Sequence, residues 1–319
     1  MDIELLRERA RIIRRVRAFF DERDYLETDT PLLAPDLIPE SCLEVFQTTY
    51  LPPPGSRAGK KPYWLIPSPE IWMKRLIARH KIDIYQICKC FRNVESSGRQ
   101  HSPEFTMLEY YTVDADYLDS LKITEELFNE MKVSGDLSPP FIKITVEEAF
   151  KRWAGFDLFD AALSLQALEE EARRLGLNPP KGLSLPELYD LIFIHAVEPR
   201  LKMDKPVVLL DYPAFVPCLA KKGGNGKTVE RWELYIRGIE LANCFSEETC
   251  PEIVRSFFES QKTEKEKAAL VSHKVDDDYW KVISALPPCS GVAMGLDRLI
   301  MLICGRSTID GVLPFPMDW

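Results

Sequence analysis

No stretch of about 18 apolar residues occurs in the 319-residue chain, so no helix is expected to cross a membrane. The opening MDIELLRERARIIRR is charged throughout and lacks the apolar segment of a secretory signal. The eight cysteines (Cys42, Cys88, Cys90, Cys218, Cys244, Cys250, Cys289, Cys304) are scattered and never form paired CxxC units. That spacing excludes a zinc module and points to a reduced, cytoplasmic protein. A phosphate loop is missing too: KKGGNGKT imitates one, but the position five before Gly226 is Lys221, where the motif requires glycine. An excess of positive charge is absent, since 41 Lys and Arg against 50 Asp and Glu leave −9, a poor general match to nucleic-acid phosphates. There is no internal repeat, no low-complexity tract and none of the strand–helix alternation of a parallel nucleotide fold.

What the chain does have is apolar material, 45% against 29% charged, enough for a sizeable core in one large domain or two small ones. Leu5, Ile12, Val16, Phe19 and Phe20 recur at helical spacing and predict a helix over 4–22. Six arginines from Arg7 to Arg17 decorate it; they read as a solvated face, with an acidic partner as the sharper alternative. YLETDTPLLAP is extended, LEVFQTTYL alternates as a strand, and PPPGSRAGKKP is a loop. Ser68 as N-cap and Pro69 as first residue open a helix in SPEIWMKRLIARH. Residues 140–203 predict a helical insertion, with capping-box spacing at Thr145/Glu148 and Ser184/Glu187. Hairpins mixed with helices in this way give an α+β class with an antiparallel sheet.

Three stretches place charge where burial is expected. In KCFRNVESSGRQHSPEFTMLEYY, two apolar strands enclose a polar loop that holds Glu95, Arg99 and His101. Arg92 continues the face of Ile84, Gln86, Cys88 and Cys90, and Glu109 shares a face with Tyr111. If these strands pair, a guanidinium, a carboxylate and a phenol converge, either as an internal ion pair or as a binding site. In RWELYIRGIELANCF, a two-residue turn at Arg237–Gly238 sets Glu240 opposite Tyr235 and Ala242 opposite Glu233. Glu233 and Glu240 then become diagonal neighbours about 7–8 Å apart. Such a pair is either two solvated acids or a Mg²⁺ site completed by phosphate oxygens. Asn243, Phe245 and Glu247 have the opposite parity and need a bulge to join them. In SGVAMGLDRLIMLICG, Gly291 and Gly295 permit close backbone approach, and Arg298 at a helix start adds its charge to the helix dipole. Two arginines and a carboxylate pair together imply a nucleoside triphosphate with Mg²⁺.

Taken in order, these motifs resemble the catalytic core of a class II aminoacyl-tRNA synthetase. YLETDTPLLAP with Pro31 is similar to the first motif, a dimer-interface element; FRNVE…HSPEFTMLEYY is similar to the second and GVAMGLDRLIML to the third. SPEIWMKRL, SPEFTMLEYY and GIELANCFSE most resemble lysyl-tRNA synthetase, and still more its short paralogues, the ligases that attach lysine or (R)-β-lysine to a lysine of elongation factor P. The resemblance spans nearly the whole chain. It implies one catalytic domain over 1–319 without an anticodon-binding domain, because the first motif begins within the first 35 residues. It also implies ATP and Mg²⁺ as cofactors, a cytoplasmic homodimer, and elongation factor P rather than tRNA as acceptor.

By motif position, the resemblance implies that Arg92 grips the amino-acid carboxylate and the α-phosphate, while Arg298 holds the γ-phosphate. Phe105 stacks on adenine, and Asn93, Glu95, His101, Ser102, Glu240, Leu241 and Gly295 complete the nucleotide site. Glu233 and Glu240 bind Mg²⁺. Ser68, Pro69, Glu70 and Ala293 border the amine at the reacting end; Ala293 adds a methyl where the tRNA enzyme has Gly, which favours (R)-β-lysine. Glu109, Tyr111, Asn243, Phe245 and Glu247 form the pocket for the distal ammonium. The chain departs from the pattern at Val94, which lengthens an Arg-x-Glu, at Ser102 in place of Asn, and at Cys244 in place of Gly.

Overall fold

Asp2 caps the N-terminal helix Ile3–Asp21 by accepting from the Glu4 and Leu5 N–H groups, and the helix buries Leu5, Ile12, Val16, Phe19 and Phe20, the positions that the spacing predicts. The computed structural model of the protein describes residues 2–40, 43–94, 98–131, 133 and 135–315. In chain order the strands are β1 (Leu26–Glu27), β2 (Leu33–Ala34), β3 (Gln47–Tyr50), β4 (Lys61–Leu65), β5 (Ile84–Phe91), β6 (Glu104–Val113), β7 (Ile142–Thr145), β8 (Val207–Pro213), β9 (Thr228–Ile236), β10 (Ile239–Ser246) and β11 (Cys289–Gly295). The chain divides into two compact units, residues 1–114 with 248–319, and residues 115–247.

In the first unit, β6 pairs antiparallel with β5 on one side and with β11 on the other, and β1 adds to β5 in parallel. A small antiparallel sheet, β2-β4-β3, accompanies them. The β5–β6 register sets Ile84 opposite Tyr111, Gln86 opposite Glu109 and Cys90 opposite Phe105. Side chains alternate across a strand, so these residues occupy one face, as predicted, and the other face carries Tyr85, Leu108 and Tyr110. There Phe20 of the N-terminal helix stacks on Tyr85, 4.8 Å between centroids, and packs against Tyr110. One of the six arginines departs from the predicted solvated face. Arg9 is half-buried against Asp297, because it lies on the inward side of the helix, whereas Arg7 and Arg11 pair with Glu4 and Glu8 at the surface.

In the second unit, β9 pairs antiparallel with β10 and with β8, and β7 adds to β8 in parallel. Helical segments run from Val146 to Leu201, and both capping boxes are formed, Thr145 with Glu148 and Ser184 with Glu187. The predicted insertion therefore opens with a short strand before it turns helical. Phe150, Leu168, Leu188 and Tyr189 of these helices share one apolar cluster with Leu209, Tyr212 and Tyr235 of the strands. Helices with mainly antiparallel sheets match the expected α+β class. Among the described residues, no helix is long and apolar enough to cross a membrane, and the described cysteines are free thiols; Cys42 lies outside the described residues.

Candidate active site

The first unit supplies an acidic pocket. Tyr111 Oη donates to Glu109 Oε1 at 2.7 Å, and Ser68 Oγ donates to Glu109 Oε2 at 2.5 Å. Ser68 lies two residues ahead of the helix Glu70–His80, whose N-cap is Pro69, one residue beyond the predicted cap. Its Oγ still accepts from the Glu70 N–H at 3.0 Å, so one hydroxyl ties the helix start to the carboxylate. One turn along that helix, the fully buried Lys74 donates from Nζ to Glu70 Oε1 at 2.6 Å.

Burial, reinforced by the charge of Glu70, pushes Glu109 up to about 8 against the pull of the Ser68 and Tyr111 bonds and of Lys74. Burial and Glu70 likewise push Glu40 up to about 7, against Arg92, Lys74 and Lys265. Glu40 is thus faced by three cations, whereas Glu109 and Glu70 share the single buried Lys74, and at that end of the pocket an incoming ammonium is favoured. Across the sheet, Ala293 lies opposite Glu109 and Gly291 opposite Tyr111.

The same unit carries the two arginines. Arg92 follows the end of β5, where its N–H donates to Pro103 O at 2.9 Å, and its guanidinium lies 5.2 Å from the centroid of the Phe105 ring. Arg298 sits in the first turn of the helix Leu296–Ile303, and its Nε donates to Gln100 O at 3.1 Å. Gly295 is the N-cap of that helix and lies opposite Met107. His101 and Ser102 are half-buried at the entry to β6. The Asn93 Oδ1 accepts from the Val94 N–H at 2.9 Å and its Nδ2 donates to Val45 O at 3.3 Å, bonds that hold the loop after β5. Val94 turns the chain with φ 60°, an uncommon conformation for a β-branched residue. Glu95 lies outside the described residues.

The second unit carries the remaining candidates. Arg237 and Gly238 both have positive φ and make the predicted two-residue turn, with Glu240 opposite Tyr235. Beyond that the predicted register is corrected. A bulge between Glu240 and Ala242 inserts Leu241, so Ala242 lies opposite Leu234, Asn243 opposite Glu233 and Phe245 opposite Arg231. The extra residue reverses the parity and brings Asn243 and Phe245 to the face of Glu233. Glu247, buried just past β10, bridges to Ala220.

Glu233 Oε2 accepts from Tyr212 Oη at 2.5 Å and Tyr235 Oη at 2.6 Å, and its Oε1 accepts from Arg231 Nη2 at 2.6 Å. Arg231 Nε donates in turn to Asn243 Oδ1 at 3.1 Å, with the guanidinium 4.6 Å from the Tyr212 ring centroid. Burial, the largest single influence, would lower the Arg231 pKa, but Glu233, Cys218, Tyr212 and Glu240 together outweigh it and raise it; burial and Glu233 both raise Tyr212 and Tyr235. Glu240 is exposed. Among the described residues, no group of three or more His, Cys, Asp or Glu is arranged to hold a metal. Glu233 is engaged by three donors here, and the expected pair of Glu233 and Glu240 supplies two carboxylates only, so a Mg²⁺ held there would take its further ligands from phosphate oxygens and waters.

Lys74 and Arg231 are functional neighbours that the sequence reading passed over. The signals are present, a lysine four residues after Glu70 on one helix and an arginine two residues before Glu233 on one strand face.

The family model described as tRNA synthetases class II (D, K and N) matches residues 3–319. The chain is 36% identical over 318 residues to the elongation factor P–(R)-β-lysine ligase of Avibacterium paragallinarum, covering 99% of this chain and 96% of that protein. The ligase of the same name from Vibrio atlanticus is 37% identical over 321 residues, with 98% and 96% covered. That of Proteus mirabilis is 35% identical over 319 residues, with 98% and 94% covered.

Proposed function

The chain belongs to the class II tRNA synthetases of the D, K and N group, and on that premise we propose that it activates lysine or (R)-β-lysine with ATP and transfers it to a lysine side chain of elongation factor P. The near full-length similarity to ligases of that name supports the acceptor. The observation that carries the substrate class is the buried Glu109 beside Glu70, held by Ser68 and Tyr111 and short of compensating charge. An ammonium supplies that charge, and a leucine or methionine side chain leaves it missing.

In this reading the amino-acid carboxylate attacks the α-phosphorus of ATP; an acyl–adenylate forms and pyrophosphate departs. The acceptor amine then attacks the acyl carbon, loses a proton and expels AMP. Arg92 and Arg298 act by position and charge on the phosphate oxygens, so no side-chain nucleophile is needed. Phe105 offers its ring to adenine. Mg²⁺ is the usual companion of a triphosphate, with phosphate oxygens and waters as its ligands; no step above depends on it. Ala293 lies opposite Glu109, and its methyl, where the tRNA enzyme has Gly, is the feature on which the preference for (R)-β-lysine rests. We assign the protein to the cytoplasm, as a homodimer acting as one catalytic domain, and its charge of −9 argues against tRNA as acceptor.

The test is amino-acid-dependent exchange between ATP and labelled pyrophosphate. Exchange with lysine and β-lysine but not with methionine is expected; efficient exchange with methionine overturns the pocket.

A further inference from the structure

We propose that Arg9 is a positioning residue for the nucleotide end of the site: by clamping Asp297 and Thr106 it fixes Arg298 and Phe105. The nucleotide roles of Arg298 and Phe105 rest on the function proposed above.

Arg9 reaches inward from the N-terminal helix with its side chain only 13% exposed. Its Nη1 donates to Asp297 Oδ1 at 2.5 Å and its Nη2 to Thr106 Oγ1 at 2.9 Å. The other carboxylate oxygen, Asp297 Oδ2, accepts from the Thr106 N–H at 2.6 Å. These bonds close a ring over three elements, the N-terminal helix, β6 and the helix Leu296–Ile303.

The ring lies where regular pairing stops. Gly295, the last residue of β11, lies opposite Met107, so the N–H of Thr106 has no further backbone partner on that side. Asp297 takes the place of the missing strand and continues the ladder with a side chain. Its carboxylate is almost fully buried, 3% exposed, and such a charge requires a counter-ion. The fork geometry of Arg9 supplies that charge and grips Thr106 in the same act, which a lysine ammonium cannot do in the same way.

Both residues tied by the ring are chain neighbours of nucleotide-site candidates. Thr106 follows Phe105 on β6, and Asp297 precedes Arg298 in the first helical turn. Removal of Arg9 leaves Asp297 buried without its counter-ion. The helix start and the end of β6 then lose their common reference. Displacement of a positioning group by about 1 Å is enough to cost about 10²-fold. The acidic pocket of Ser68, Glu70 and Glu109 contains none of the ring's members and is held by its own bonds.

The test compares the full-length wild type with Arg9→Ala, Arg9→Lys and Thr106→Val, and with Arg11→Ala as an exposed control on the same helix. Titration calorimetry reads ATP binding, exchange kinetics read KM for ATP and for lysine separately, and thermal unfolding confirms the fold. Arg9→Ala is expected to weaken ATP by about tenfold or more and to leave the lysine KM within about twofold. Arg9→Lys recovers part of the loss through its charge, and Arg11→Ala matches the wild type. Thr106→Val keeps the backbone N–H and the side-chain shape, so it tests the clamp even if Arg9→Ala fails to fold. It too should raise the ATP KM alone. ATP and lysine KM rising together in Thr106→Val and Arg9→Lys, or neither rising, overturns the proposal. A wild type that binds ATP but exchanges with no lysine isomer refutes the proposed function instead, and calorimetry on the variants still decides the role of Arg9.

Discussion

Gly291 lies opposite Tyr111 across the β6–β11 pair, so close that a Cβ at 291 would stand 2.4 Å from Tyr111 Cε1. The ring is wedged between backbone and pocket, and its hydroxyl is thereby aimed at Glu109. Gly291→Ala must displace the ring, because a contact this short is not tolerated. Overpacking of this kind costs about 1–3 kcal/mol. The lysine KM should rise by about tenfold, the factor that 1.4 kcal/mol represents, with the ATP KM unchanged. Steady-state exchange kinetics check it, and an unchanged lysine KM would show that the Tyr111–Glu109 bond does not shape the pocket.

Burial, with the charge of Glu70, pushes Glu109 up to about 8 and Glu40 up to about 7. The folded, ligand-free protein holds these protons more tightly than the unfolded chain does. Their stabilising effect is complete below the ordinary carboxylate value and fades as pH rises through 7 and 8. The melting temperature of ligand-free protein should therefore fall between about pH 5 and about pH 8.5, and Glu109→Gln should flatten that fall. An ammonium substrate demands the ionised pocket, so lysine affinity should rise over the same window. Lysine binding that weakens from about pH 6 to about pH 8 contradicts this.

Among the described residues Arg231 is the cationic partner of Glu233, and the pair is mostly buried, with side chains 18% and 10% exposed. Arg231→Met strands Glu233 between two tyrosines and releases Asn243. Breaking a buried pair on one side costs about 3–5 kcal/mol. Denaturant unfolding should show a loss on that scale, partly restored by adding Glu233→Gln. Equal stability of wild type and Arg231→Met would demote the network to surface chemistry.

Arg298→Ala tests the phosphate clamp. Loss of one preorganised charged donor lowers turnover by about 10²-fold. Pyrophosphate exchange at wild-type rates in a folded Arg298→Ala protein removes Arg298 from the mechanism.

Much of this was legible in the sequence because it rests on short-range periodicity. The inward face of the N-terminal helix, the shared face of Gln86, Cys90, Phe105, Glu109 and Tyr111, and both capping boxes follow from spacing alone. The Arg237–Gly238 turn followed from its residue types. What spacing could not convey is a change of count. One bulge at Leu241 reverses the parity of everything after it, and no residue type there announces it. Partners distant in sequence were equally hidden. Arg9 and Asp297 are 288 positions apart, and only the fold tells Arg9 from the solvated arginines around it. Of the groups that satisfy Glu233, Arg231 and Tyr235 lie two residues either side of it on β9, and only Tyr212 becomes its neighbour through the pairing of β8 with β9.

The proposed reaction joins a lysine isomer, activated by ATP, to a lysine of elongation factor P. Its most direct measurement is intact-protein and peptide mass spectrometry of elongation factor P incubated with this enzyme, ATP and each isomer, beside a parallel incubation with tRNA. Expected is a single added lysyl or β-lysyl group on one lysine, dependent on ATP, faster with (R)-β-lysine, and slowed about 10²-fold by Arg298→Ala. Unmodified elongation factor P together with robust formation of lysyl-tRNA would contradict it.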